Sequence, residues 1–183
     1  MKAPTTYNAW TKFAENISGQ TSFIPAGYFN FDNTYQITTA NEIIKLVWAD
    51  QPEKGRGPFV NSKTLFYYNL GQNSTLELKI YKNDFWARLL TVFSANKLKI
   101  DDTNLDSEYL FFSNNELAAG KFLNDFKNFN SLTKFKDFVI NTEIIDDDKF
   151  LVIQVNNLLT EEKPLMQFYK LGQVISQSLN GGV

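Results

Sequence analysis

The chain has 183 residues, 43% hydrophobic and 21% charged, a length and balance that suit one globular domain. With 18 basic against 20 acidic side chains its formal charge is −2, so it lacks the basic footprint of a nucleic-acid binder. It has no Cys and no His, which excludes disulfides, thiolate chemistry, imidazole general bases and the commonest metal ligands.

Trp10, Phe13, Ala14 and Ile17 recur at helical spacing, which predicts an amphipathic helix over 6–18, docked through Trp10 and stopped at Gly19. The period then shortens. Residues 26–31 and 35–38 read as strands around a turn at Asp32-Asn33, and 42–48 as a strand with an almost continuous apolar run. Pro and Gly among charges make 51–58 a loop. Residues 64–68 and 75–81 are predicted strands. In the second, Leu76, Leu78 and Ile80 face one side and Glu77 and Lys79 the other, so one face meets water. Asn83 is suited to cap a helix reaching Phe93, with Phe85 and Leu89 on the same stripe.

The second half follows the same grammar. Residues 97–100 and 108–112 read as strands, 117–123 and 126–138 as helices, and 139–145 and 149–155 as a hairpin around Asp146-Asp147-Asp148. A final helix is predicted over 164–179. Pro164 opens it, Glu161 and Glu162 complement its dipole, and Leu165, Phe168, Leu171, Ile175 and Leu179 form its apolar stripe. Hairpins alternating with helices predict an α+β fold of antiparallel sheets covered by amphipathic helices. Residues 1–183 form one domain in this reading, with 1–95 and 96–183 as two candidate related lobes. No stretch reaches the roughly 20 apolar residues of a transmembrane helix, and the first residues lack the apolar run of a secretory signal. The expectation is a cytoplasmic protein, or a membrane-peripheral one if the chain belongs to a longer protein.

Several motifs invite chemistry. Asp102, Asn104 and Asp106 repeat the first, third and fifth ligands of a calcium loop, but Ser107 and Ser113 stand where that loop needs Gly and Glu. The segment therefore reads as a turn. Asp146, Asp147 and Asp148 read as a solvated hairpin tip before a metal cluster. Ser94 with Lys97, and Ser131 with Lys134, have Ser-x-x-Lys spacing, yet a chain with this much Ser and Lys supplies such pairs by chance. Asp50, Glu53, Asp101 and Asp106 lie near predicted strand ends, where two carboxylates across a cleft would suit glycoside hydrolysis.

The binding candidates are of two kinds. Lys54-Gly55-Arg56-Gly57 is a mobile basic loop or an anion cradle. In Leu65-Phe66-Tyr67-Tyr68 and in 109–112, alternation sends aromatic rings to both strand faces. Either helices cover both faces or one displays an apolar platform for a partner. Lys54, Arg56, Tyr67, Tyr68 and Phe112 are thus the interaction candidates, and no residue is assigned to catalysis, a cofactor or a metal.

Trp10-Thr11-Lys12-Phe13-Ala14 resembles a Trp-x-x-Leu/Phe-Ala helix of bacterial proteins with a DUF3137-type C-terminal region. Gly27-Tyr28 and Leu105-Asp106-Ser107-Glu108-Tyr109 are similar to that group's strand punctuation, and 113–123 followed by a helix and a hairpin keeps its order. The chain departs from the group at Phe31-Asp32, where a Gly-Arg pair is usual, and in lacking membrane spans. The resemblance implies a bacterial source, with which the weight of Lys, Asn, Ile and Phe agrees, and implies no particular activity. The functional expectation is a noncatalytic module binding a protein or small-molecule ligand. Two alternatives are a carboxylate-dependent hydrolase of a neutral substrate such as a glycoside, and a peripheral membrane or envelope protein.

Overall fold

The stripe of Trp10, Phe13, Ala14 and Ile17 forms a helix, α1 (Tyr7–Asn16), in the computed structural model, which describes residues 7–26, 32–48, 62–72, 74–75, 77–82, 97–98, 107–115, 120 and 138–180. Trp10 and Phe13 are fully buried, while Lys12, Glu15 and Asn16 remain exposed. The helix closes when the Gly19 N–H reaches back to the Ala14 carbonyl at 2.8 Å and the Ser18 N–H to Glu15 at 3.1 Å. Ser18, at φ 54°, takes the left-handed position expected of the neighbouring glycine.

Among the described residues nine strands follow: β1 (Gln20–Ile24), β2 (Asn33–Thr38), β3 (Glu42–Trp48), β4 (Lys63–Asn69), β5 (Leu78–Lys82), β6 (Lys97–Leu98), β7 (Tyr109–Ser113), β8 (Phe138–Ile145) and β9 (Asp148–Val155). They form one sheet in the order β1-β2-β3-β4-β9-β8-β5-β7-β6, and every neighbouring pair is antiparallel. A long helix, α2 (Glu162–Asn180), follows β9. The architecture is therefore α+β on one antiparallel sheet. β8 and β9 lie between β4 and β5, so strands from 1–95 and from 96–183 are interleaved within it.

Three expectations need correction. Among the described residues β2 pairs with β1, and Ile24 aligns with Thr34, so Asn33 begins a strand and is not a turn residue. Its buried side chain does the work of a turn, because Oδ1 accepts the Ala26 N–H at 3.0 Å. The Nδ2 of the same amide is buried without a partner, a cost of about 1–3 kcal/mol that the anchor offsets. Phe138 opens β8 instead of ending a helix, since its ring packs 5.6 Å from Phe168. Strand β5 begins only at Leu78, whose N–H turns to the Thr142 hydroxyl at 3.1 Å. The helices predicted over 83–93, 117–123 and 126–137 lie outside the described residues, apart from Gly120.

Alternation divides the sheet into two faces. One carries Tyr35, Ile37, Ile44, Leu46, Phe66, Tyr68, Leu151 and Ile153, all buried, and both described helices pack on it. In α2 the predicted stripe of Leu165, Phe168, Leu171 and Ile175 is fully buried, and Phe168 stacks on Phe66 at 6.1 Å. Burying each of these side chains contributes about 1.5–3 kcal/mol. Gly172 rests directly on the Tyr68 ring, with no room for a Cβ. The β9–α2 connection is clamped from both sides. The Thr64 hydroxyl donates to the Asn157 carbonyl at 3.0 Å and accepts the Leu159 N–H at 2.9 Å, while Trp10 Nε1 donates to the Leu159 carbonyl at 2.9 Å.

Candidate functional site

The second sheet face is the one on which neither α1 nor α2 packs. Pairing register aligns its residues in rows across the strands. One row runs Gln20, Thr38, Ile43, Tyr67, Val152, Asn141, Lys79, Phe112 and Lys97. Tyr67 and Phe112, chosen separately from sequence, thus share a row four strand spacings apart, about 19 Å.

Tyr67 is the centre of this face. Its ring is half-buried, Lys45 Nζ lies 5.2 Å from its centroid, and Phe150 meets it edge-on at 6.4 Å. An ammonium over an aromatic face gains about 0.5–1 kcal/mol at such a partly wet site. Burial raises the Tyr67 hydroxyl above its ordinary pKa, and the nearby Glu143 carboxylate raises it further, so the phenol stays a neutral donor and acceptor. Leu65 and Val152 fill the neighbouring positions and are buried, and Lys79 is exposed. Phe112 is buried, its ring 6.3 Å from Tyr81 in an edge contact.

Tyr68 belongs to the other face. It is buried beneath α2, where its hydroxyl donates to the Tyr169 carbonyl at 2.9 Å. Beside it lies a polar knot. Gln173 Nε2 donates to the Tyr169 hydroxyl at 3.0 Å and to Glu42 Oε1 at 3.3 Å, and the Thr39 hydroxyl also donates to the Glu42 carboxylate. Burial, the Glu42 charge and a hydrogen bond to Glu42 push the Tyr169 hydroxyl up to about 12. Burial first, then the charges of Tyr169 and Glu42, push Tyr68 well above 10. A phenol so reluctant to ionise is neither a base nor a nucleophile at neutral pH. The knot fastens α2 to β3.

Of the other motifs, Lys54, Arg56, Asp50, Glu53, Asp101, Asp102, Asn104, Asp106, Ser94, Ser131 and Lys134 lie outside the described residues. Asp146 and Asp147 form the tip of the β8–β9 hairpin, both left-handed at φ 49° and 68°, and Asp148 pairs with Ile145. Among the described residues no cluster of three or more acidic side chains is suited to hold a metal ion, and no helix is long and apolar enough to cross a membrane.

Sequence reasoning passed over Lys45, Phe150 and Asn141. Their parity within a strand was readable, but only the register brings them beside Tyr67. No family model matches the chain, nor does any curated protein or solved structure.

Proposed function

We propose that the protein is a noncatalytic binding module that engages a protein or small-molecule ligand through the sheet face centred on Tyr67. The observation that carries this reading is the cluster around Tyr67. Both described helices pack on the Tyr68 face, while the opposite one gathers an aromatic ring, a lysine over it, amides at Asn141 and Gln154, and apolar floor residues. Aromatic bodies with polar tips give contact area at low entropic cost, the chemistry that binding surfaces favour. In this reading the helices serve as cover for one face, and 1–95 and 96–183 act as two halves of one binding unit. The module acts without a cofactor, in the cytoplasm or at a membrane periphery, and does not bind nucleic acid. A bacterial protein of the DUF3137-type group would fit such a role.

The test is a screen of peptide and glycan arrays with the intact protein and two surface variants. Ligands that need this face are lost by both Tyr67→Ala and Lys45→Ala and kept by Asn8→Ala on the exposed side of α1. Binding that survives both sheet substitutions overturns the reading.

A further inference from the structure

We propose that the chain pairs with a second copy of itself through β1, edge to edge, joining two nine-stranded sheets across a two-fold axis normal to the sheet. This does not depend on the Tyr67 face. It starts from the unlike ends of the sheet. At one end the described part of β6, Lys97–Leu98, carries a lysine, and a charge on an edge strand discourages further pairing. At the other end β1 is five residues long, exposed throughout, and free of charge and of proline. On its outer side no described strand pairs with it. Phe23 and Ile24, each 45% exposed, point to opposite faces at this edge.

A second copy meets that edge with the same uncharged strand, so no charge is desolvated and each donor faces the acceptor it mirrors. A two-fold normal to the sheet keeps the helices of both copies on one side. Residues opposite one another then share a face, and their numbers sum to an even constant. Of such registers only the one centred on Ser22 pairs all five residues. It sets Gln20 against the partner's Ile24, Thr21 against the partner's Phe23, and Ser22 against the partner's Ser22. Phe23 already stacks on Trp48 at 5.9 Å, and Trp48 lies 5.3 Å from Trp10. The two Phe23 rings become diagonal neighbours, about 7–8 Å apart, and carry this aromatic row across the axis.

Analytical ultracentrifugation of the full chain over a rising concentration series tests the pairing. The wild type is expected to pass from monomer to dimer. Ser22→Lys sets like charges directly opposite one another and is expected to raise the dissociation constant about tenfold or more, with the far-ultraviolet circular dichroism unchanged. Because the chain has no Cys, single thiols report the register without background. Ser22→Cys is expected to cross-link under mild oxidation. Gln20→Cys, whose copy lies about 14 Å along the strand, is not. A wild type that stays monomeric at every concentration overturns the proposal, as does a dimer that cross-links through position 20 or through neither. The thiol result decides the matter even if Ser22→Lys fails to fold.

Discussion

Gly172 occupies the middle of α2, where glycine is about 0.8–1.0 kcal/mol worse than alanine in intrinsic helix propensity. Packing reverses that preference, because a Cβ at this position would fall on the Tyr68 ring. Gly172→Ala is therefore expected to destabilise the protein, by about 1–3 kcal/mol of overpacking, as read by urea unfolding. A more stable variant would mean that the ring is not pinned beneath the helix. Thr64 works by hydrogen bonding in a fully buried position. Thr64→Val keeps the shape but strands the Asn157 carbonyl and the Leu159 N–H, at a cost of about 1–3 kcal/mol, whereas Thr64→Ser should recover much of the loss. Equal stability of the two variants would count against the clamp.

Helix α2 is tied to β3 by hydrogen bonds that converge on the Glu42 carboxylate. The folded state holds the Tyr169 hydroxyl neutral up to about 12, against 10.0 in an open chain, and holds Tyr68 neutral well above 10. Folding thus favours the protonated forms. The stability they supply is complete below pH 10 and is lost as the pH climbs through about 12. Circular dichroism and tyrosinate absorbance, followed together, should show α2 loosening in that window. Glu42→Gln removes the carboxylate charge beside Tyr169 and should bring its ionisation down toward 10. An unchanged titration in that variant would remove Glu42 from the account.

The elements differ in how far their own residues specify them. The bounds of β3 match the apolar run over 42–48, and α2 buries the stripe its spacing predicts, because both patterns are local. The β8–β9 hairpin was legible for the same reason, since Asp146 and Asp147 tolerate the left-handed turn it needs. Asn33 was not, because its anchor is Ala26, and sequence alone does not reveal which distant backbone group an amide will bind. At the candidate site, alternation told that Tyr67 and Tyr68 point apart. Which of them lies under α2, and that Lys45 and Phe150 surround the other, depends on register and on long-range packing.

At the scale of the whole molecule the strand order decides what can fold alone. In 1–95, β1 to β4 form a continuous run, but β5 is cut off from them because β9 and β8 stand between. In 96–183 the break mirrors this. β6 pairs with β7 and β8 with β9, yet among the described residues the two pairs meet only through β5. Each segment taken alone therefore exposes unpaired strand edges, and 1–95 also loses the cover of α2 over Phe66 and Tyr68. The intact chain is expected to unfold in one calorimetric transition. Either segment expressed by itself should lack dispersed amide resonances, and mixing the two should restore them. A native-like spectrum from 1–95 or from 96–183 alone would mean that the sheet is two cooperative units and not one.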